Sequence, residues 1–353
     1  MIMLQPIFSG LLCGALLGFV MQRGRFCLTG GFRDMYIAKN NRIFYALLIA
    51  IAIQSVGVFA LIAAGRLSYD AGAFPWFGTV LGSYVFGIGI IMAGGCATGT
   101  WYRAGEGLIA SWIALFAYML SSAVMRSEHL TAFNRQIKSL STEHNSIAET
   151  LGLSPWLFIA LLIAVTGWLV AKELKKPRLK VAALPQRKFG LAHLLFEKRW
   201  HPFVTAVLIG LIALLAWPLS AATGRVFGLG ITTPSANILQ YLVIGNDKFL
   251  NWGVLLVLGI FLGSFIAAKG SREFRIRAAD AATSVRSFSG GILMGFGASI
   301  AGGCSIGNGL VMTALITWQG WVGLACMILG AWTASWYLFV RPQRQANLQA
   351  ASN

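Results

Sequence analysis

Ala93-Gly94-Gly95-Cys96 and Ala301-Gly302-Gly303-Cys304 are two copies of one tetrapeptide, and each lies inside a long apolar run. When the copies are aligned on their cysteines, identical residues recur at one offset around both motifs. The first set is Gly82, Gly87, Gly89, Ala93, Gly94, Gly95, Cys96 and Gly99, and the second is Gly290, Gly295, Gly297, Ala301, Gly302, Gly303, Cys304 and Gly307. This many identities at one offset indicate an internal repeat.

The composition is that of an all-α integral membrane protein. Of the 353 residues, 57% are apolar and 11% are charged, which is too much apolar surface for one soluble core. Nine stretches have about the length needed to cross a bilayer: 4–21, 43–65, 78–95, 107–125, 154–172, 203–219, 252–268, 288–303 and 319–340. The first is interpreted as an uncleaved span, because no soluble domain follows it.

The formal net charge of +17 is distributed over short loops, which argues against a nucleic-acid-binding face. Basic residues concentrate in segments 22–42, 172–199, 269–286 and the tail, and these alternate with base-poor segments 66–77, 126–153 and 220–251. Because Lys and Arg favour the cytoplasmic side, the pattern predicts a periplasmic N-terminus and a cytoplasmic C-terminus. Nine spans satisfy this orientation.

The repeat predicts four parts of the chain. Residues 1–125 form membrane repeat one with spans one to four, and 126–202 form a connector with span five and a basic cytoplasmic loop. Residues 203–340 form repeat two with spans six to nine, and 341–353 form a cytoplasmic tail. Five crossings separate corresponding spans, so the second repeat is inverted, and inverted repeats place a substrate site near the bilayer midplane.

The Gly-Gly-Cys motifs predict broken helices. Irregular backbone is tolerated at membrane depth only where it is buried in protein or lines a polar cavity, so the third and eighth spans should break at the motifs. Gly94, Gly95, Gly302 and Gly303 are therefore candidate substrate-binding residues. The glycines before each motif are explained equally well by close helix packing.

Cys27, Cys96 and Cys304 are the candidate substrate-binding side chains. Cys96 and Cys304 occupy mirrored positions and should converge, whereas Cys27 has no cysteine counterpart in the second repeat. A buried cysteine is often only a small apolar residue, which is the interpretation for Cys13 and Cys326. No spacing of cysteines or histidines indicates a metal or a disulfide framework.

The surroundings of these thiols favour binding over catalysis. No base follows the motifs except Glu106, so nucleophilic activation is not indicated. A thiol in apolar surroundings stays protonated and is a weak donor, which suits a soft anion. Half-helix N-termini beyond the breaks would add positive potential.

Charged and aromatic residues near the predicted mouths give weaker signals. Arg25 and Arg225 are secondary candidates that, with Arg23, could attract an anion, although topology signalling explains Arg23 and Arg25 as well. Glu106 is a further secondary candidate, with a membrane-edge ion pair to Arg103 as the simpler interpretation. The aromatic residues predicted to anchor at the membrane interface are Trp76, Trp217, Trp252 and Tyr337.

Three motifs together resemble the YeeE/YedE family of bacterial sulfur-compound membrane proteins: Gly-Arg-Phe-Cys-Leu-Thr-Gly-Gly at 24–31, Ala-Gly-Gly-Cys-Ala-Thr-Gly at 93–99 and Ala-Gly-Gly-Cys-Ser-Ile-Gly-Asn-Gly-Leu at 301–310. The resemblance extends over essentially the whole chain. It implies an hourglass-shaped helical fold and thiosulfate uptake across the inner membrane for cysteine synthesis. It also implies that Cys27, Cys96 and Cys304 relay the anion through S–H hydrogen bonds, and that a small cytosolic TusA-like sulfur-carrier protein is a partner.

The resulting hypothesis is a thiosulfate transporter with no cofactor, not an enzyme, in which Cys304 lies nearest the outside, Cys27 nearest the cytoplasm and Cys96 between them. Three alternatives remain open. The chain could be a membrane sulfurtransferase that forms a persulfide, a carrier of another sulfur or selenium anion, or a purely structural subunit.

Overall fold

A computed structural model describes residues 4–176 and 189–352 of the chain. The middle of the predicted basic loop, 177–188, lies outside the described residues. The helices are α1 Leu4–Gly24, α2 Leu28–Ile37, α3 Arg42–Ala63, α4 Trp76–Met92, α5 Ala97–Gly105, α6 Ile109–Val124, α7 Glu128–Ser139, α8 Ile147–Leu151, α9 Pro155–Leu174, α10 Gly190–Phe196, α11 Pro202–Ala221, α12 Thr232–Ile244, α13 Trp252–Gly270, α14 Ala281–Ile300, α15 Trp318–Ser335 and α16 Arg341–Ser352. Segments Gly307–Met312 and Trp336–Val340 are π-helical, and Asp247–Phe249 is a 3-10 turn.

The all-α membrane architecture is confirmed. Each of the nine predicted stretches coincides with one helix, namely α1, α3, α4, α6, α9, α11, α13, α14 and α15. Within the described residues, seven helical stretches are long and apolar enough to cross a membrane, and α6 is a shorter apolar helix. The chain is therefore a multi-pass membrane protein. The count of nine crossings and the four-part division of the chain stay predictions.

Glycines set the closest helix pairs. Helix α1 runs along α13, and a Cβ at Gly14 or Gly18 would overlap the carbonyl oxygen of Leu256 or Ile260. Helices α4 and α14 pack in the same way, because the added Cβ of Gly82 would overlap the backbone of Ala301. Of the two roles considered for the glycines before the motifs, the contacts therefore support close packing.

Both predicted helix breaks are confirmed. Helix α4 ends at Met92, Gly94 follows with φ +71°, and Cys96 is the N-cap of α5. Helix α14 ends at Ile300, Gly302 follows with φ +74°, and a π-helical segment begins after Cys304. A left-handed backbone at these two positions favours glycine, and it turns the chain so that each cysteine starts a new helical segment.

Two of the predicted interfacial anchors are wrong. Trp217 and Trp252 are both almost completely buried, at 0% and 1% exposure, whereas Trp76 and Tyr337 are exposed. The reason is that the two buried rings pack inside the bundle: Trp217 contacts Tyr69, and Trp252 donates a hydrogen bond of 2.9 Å to Ser9 Oγ.

Candidate functional site

The three candidate cysteines share one backbone arrangement. Each thiol-bearing residue sits at the start of a helical segment, with its carbonyl accepting a hydrogen bond from the N–H four residues later: Gly31 to Cys27 at 2.9 Å, Thr100 to Cys96 at 2.8 Å and Asn308 to Cys304 at 2.8 Å. The residues are 6%, 0% and 1% exposed, respectively. The positive end of a helix dipole therefore lies beside each sulfur atom, inside the protein.

Cys27 and Cys96 are neighbours across Gly99. A Cβ added to Gly99 would lie 3.2 Å from Cys96 Sγ and 3.6 Å from Cys27 Sγ, so both sulfurs occupy the space that a larger residue would fill. The Gly99 N–H also donates to Cys96 Sγ at 3.3 Å. The glycine three residues after Cys96 therefore allows two thiols from separate segments to meet.

The two copies of the tetrapeptide converge, as the repeat predicted. Ser305, which directly follows Cys304, faces the Cys96 thiol. Tyr118 lies near both Cys96 and Cys304, and its hydroxyl is hydrogen-bonded to Thr232 Oγ1 at 2.8 Å. Cys96 is thus linked to Cys27 at Gly99 and to the Cys304 segment through Ser305.

Buried amides hold the second broken loop in place. Asn308 Nδ2 donates to the Ala301 carbonyl at 3.0 Å, and Gln319 Nε2 donates to the same carbonyl at 3.1 Å and to Asn308 Oδ1 at 3.1 Å. Asn145 Oδ1 in turn accepts from the Gln319 N–H at 3.0 Å. These bonds satisfy polar groups that would be costly to bury alone, and they hold the Ala301 carbonyl at the start of the Gly302–Cys304 loop.

Arg103 lies at the other end of the thiol series. Its Nη2 is 3.7 Å from Cys27 Sγ, and its Nη1 donates to the Gly94 carbonyl of the first broken loop. The predicted ion pair between Arg103 and Glu106 is wrong, because the Glu106 carboxylate bonds Arg25 Nη1 at 2.9 Å instead. Arg103 lies in the last turn of α5 and Glu106 directly follows the helix. The Arg103 side chain is therefore directed to Cys27 and Gly94, and the Glu106 side chain to Arg25.

One side of the protein opens toward Cys304 through two cavities. The larger, of about 450 Å³, is lined by Arg126 and Lys138 and reaches Gly302 and Gly303. The smaller, of about 280 Å³, is lined by Arg225 and reaches the same glycines and Cys304 itself. No acidic residue is among the described residues that line these cavities. This side therefore presents an electropositive approach to the first thiol.

The bases of this approach are crowded by protein. Burial lowers the pKa of Lys138, and the neighbouring Arg126 lowers it further. Burial also lowers the pKa of Arg225 to about 10, so its guanidinium stays charged at neutral pH. Arg225 is held against the rings of Phe227 and Trp252 at 5.5 and 5.7 Å and donates to the Gly228 carbonyl at 3.0 Å.

At the opposite end, Arg25 joins two carboxylates. Its Nη1 bonds Glu106 Oε1 at 2.9 Å and its Nη2 bonds Glu273 Oε2 at 2.7 Å, and the residue has a φ of +49°. Two cavities of about 440 and 350 Å³ both border Arg25 and Glu273. Burial raises the pKa of Glu106, and the charge of Arg25 opposes that rise. The Arg25 cluster therefore lies between the thiols and these basic cavities.

The remaining cysteines lie elsewhere, as predicted. Cys13 is buried on α1, and Cys326 is half-buried on α15. Arg126, Lys138 and Ser305 are not among the residues predicted from the sequence, and the partner predicted for Arg103 is wrong. The sequence did contain a signal for the position of Arg103 near the thiols: it follows Cys96 by seven residues, which places it on the short helix that begins at this cysteine.

Comparisons with known proteins identify a family and several relatives of this chain. A family described as "Sulphur transport" matches residues 23–333 of the chain. The chain is 75% identical, over 99% of both chains, to the thiosulfate transporter TsuA of Escherichia coli. It is 34% identical to the thiosulfate transporter TsuA of Spirochaeta thermophila, over 95% of this chain and all of that protein. It is also 33% identical to the probable transporter YedE of Escherichia coli, over 33% of this chain and 28% of that protein.

Proposed function

Since this chain belongs to the sulphur transport family, we propose that it carries thiosulfate across a bacterial inner membrane into the cytoplasm. The observation that carries the proposal is the convergence of Cys304, Cys96 and Cys27 in one buried series, in a chain that is 75% identical to a thiosulfate transporter over nearly its full length.

The proposed path begins at the cavities that Arg126, Lys138 and Arg225 line. A dianion is attracted into an electropositive cleft, and the low dielectric of the surrounding protein strengthens that attraction. Gly302 and Gly303, which line both cavities, have no side chains to obstruct the next step, and the anion reaches Cys304 from the smaller cavity.

The thiols then pass the anion inward. Protonated thiols are weak hydrogen-bond donors, so each can contact a soft sulfur atom without binding it tightly. Cys96 accepts the anion from Cys304 across the interface of the two broken loops, and Cys27 follows beyond Gly99. The helix N-terminus behind each thiol compensates the negative charge at every position.

Arg103 gives the inner end of the series a full positive charge. From there, the anion leaves past Arg25, whose guanidinium is neutralised by Glu106 and Glu273. The basic cavities beyond Arg25 would face the cytoplasm. This orientation agrees with the periplasmic N-terminus and cytoplasmic C-terminus that the distribution of Lys and Arg predicts.

The cytosolic partner also belongs to the proposal. A small TusA-like sulfur-carrier protein would receive thiosulfate at the cytoplasmic face, where the proposed exit cavities expose Arg272, Arg275 and Arg277. Incorporation into cysteine would keep the internal concentration low, which favours net uptake.

In this account the cysteines are ligands and not nucleophiles, and the chain is not an enzyme. Proteoliposomes that contain the wild-type protein should accumulate radiolabelled thiosulfate that is added to the outside, whereas liposomes without protein should not. Mass spectrometry of the same protein should find no persulfide on any cysteine. A stable sulfur adduct on Cys96 or Cys304 would instead support a membrane sulfurtransferase. Transport of another sulfur or selenium anion, with no transport of thiosulfate, would contradict the proposed substrate.

A further inference from the structure

A hydroxyl group accompanies every cysteine of the proposed path. Thr29, Thr98 and Ser305 follow Cys27, Cys96 and Cys304 within two residues, and they are 5%, 0% and 0% exposed. Among the residues that the structure describes, the Thr29 and Thr98 hydroxyls have no hydrogen-bond partner, and the Ser305 hydroxyl faces the Cys96 thiol, which is a weak acceptor. A buried hydroxyl without a strong partner loses its hydration without full compensation, so three of them within two residues of a cysteine require an explanation.

Their position on the backbone distinguishes them from other unpaired hydroxyls. Ser83 and Ser122 also lack partners, but each lies more than a turn inside a regular helix, where rotation brings a serine to the carbonyl of the preceding turn. Ser299 uses such a carbonyl, with a bond of 2.7 Å to Gly295. Thr98 is the second residue of α5, and Ser305 lies in the turn before a helical segment. No helical turn precedes either of them.

The internal repeat does not account for the hydroxyls either. At the offset that aligns the two motifs, Ala97 corresponds to Ser305 and Thr98 corresponds to Ile306. Each of the two aligned motifs therefore contributes one hydroxyl, but at different positions. The shared feature is a buried hydroxyl within two residues of each cysteine and not an inherited residue.

Ser305 has the most informative surroundings. It belongs to one repeat, yet its hydroxyl faces the Cys96 thiol of the other. An anion that moves from Cys304 to Cys96 must pass this hydroxyl. Gly307, on the next turn, has nothing within 4 Å of where a Cβ would lie although the residue is buried, so open space adjoins the same loop.

We propose that the Ser305 and Thr98 hydroxyls bind the oxygen atoms of a sulfur oxyanion while the thiols of Cys304 and Cys96 contact its soft sulfur atom. The proposal rests on the function proposed above. An O–H group is a stronger donor to oxygen than an S–H group, and a hydrogen bond to a charged acceptor is stronger than one between neutral groups. Paired donors of both kinds would select anions that carry oxygen and soft sulfur together.

Binding measurements on purified protein test the assignment without requiring transport. Dissociation constants are measured for thiosulfate and for thiocyanate, a soft sulfur anion without oxygen, in wild type, Ser305→Ala, Thr98→Val and Ser305→Thr. Ser122→Ala is the matched control, because its hydroxyl is also buried and unpaired but lies on α6.

We expect Ser305→Ala to weaken thiosulfate binding about tenfold or more, the loss of one hydrogen bond to a charged group. Thr98→Val should also weaken thiosulfate binding, whereas Ser305→Thr should bind thiosulfate as wild type does. The dissociation constant for thiocyanate should change little in all three variants. An unchanged thiosulfate constant in Ser305→Ala would overturn the proposal, and so would an equal loss for both anions, which indicates altered packing. If wild type binds no thiosulfate, the proposed function fails, and the same variants measured with sulfite still decide the role of the hydroxyls.

Discussion

Arg103 Nη2 lies 3.7 Å from Cys27 Sγ, although the two residues are 76 positions apart in the chain. The same guanidinium also donates to the Gly94 carbonyl. One side chain therefore connects the first broken loop to the cysteine at the N-cap of α2, and it places a positive charge beside the innermost thiol of the proposed path.

Substitution of Arg103 tests the importance of this charge. Arg103→Gln should raise the KM for thiosulfate by about 10- to 100-fold, since a hydrogen bond between a charged donor and a dianion contributes about 1.5–3 kcal/mol. Arg103→Lys should retain part of the affinity because it keeps the charge without the planar donor pair. Radiolabelled uptake at several thiosulfate concentrations gives KM and the maximum rate.

Arg33→Gln is the control for Arg103, since Arg33 forms an exposed ion pair with Asp34 at 2.9 Å. It should leave uptake unchanged. Equal uptake by wild type and Arg103→Gln would contradict a role for Arg103 in the path.

Gly99→Ala tests whether the close approach of the Cys27 and Cys96 thiols is needed for uptake. The new methyl group would lie 3.2 Å from Cys96 Sγ and 3.6 Å from Cys27 Sγ, so at least one sulfur must move. Overpacking of this kind costs about 1–3 kcal/mol, and we expect the protein to fold while uptake falls about tenfold or more. Gly167→Ala on the exposed face of α9 is the control, because nothing lies within 4 Å of its Cβ position. Full uptake by Gly99→Ala would show that the two thiols need not be adjacent.

The local features of the site could be predicted from the sequence. The breaks after α4 and α14 follow from glycine pairs inside apolar runs, and the convergence of Cys96 with the second motif follows from the repeat. The partner of Arg103 could not be predicted in this way. Glu106 is three residues away in sequence, but a single turn of helix directs it to Arg25, which a different segment supplies.

The basic cavity near Cys304 could not be predicted from the sequence for a related reason. Arg126 and Lys138 belong to a segment that looked base-poor when its charges were counted along the chain. Only the packing of α7 and of the turn before it beside the Gly302–Cys304 loop brings these two bases to one cavity. Counting charges predicts topology, but it does not show which charges face a common space.

Neutralising this cavity should slow capture of the anion. Arg126→Gln combined with Lys138→Gln should raise the KM for thiosulfate about fivefold or more and leave the maximum rate nearly unchanged, because long-range attraction acts on encounter. The difference from wild type should shrink as salt is added, since screening weakens the field of the bases. Arg135→Gln on the same helix is the control, because Arg135 is exposed and does not line the cavity. A KM that is unaffected at low salt would rule out this entry route.

The Arg25–Glu106 pair should give a pH-dependent stability effect. Burial raises the pKa of Glu106 and Arg25 opposes the rise, so removal of Arg25 should raise it further. A carboxyl group whose pKa is raised on folding stabilises the protein at low pH, and that contribution is lost as the pH rises through the folded-state value. Arg25→Gln should therefore destabilise the protein by roughly 2 kcal/mol or more at neutral pH, and by less in acid.

Thermal unfolding in detergent at about pH 7.5 and about pH 5 measures this effect. The double variant Arg25→Gln with Glu106→Gln should be more stable at neutral pH than Arg25→Gln alone, because no unpaired buried charge remains. A loss of stability in Arg25→Gln that is the same at both pH values would indicate that the pair contributes through packing.

Thiosulfate uptake by five variants, each with one cysteine changed to serine, tests the central claim most directly. Uptake should collapse in Cys27→Ser, Cys96→Ser and Cys304→Ser and should change little in Cys13→Ser and Cys326→Ser, with all five proteins present in the membrane at wild-type levels. Normal uptake by Cys96→Ser and Cys304→Ser would contradict a path lined by thiols from both repeats.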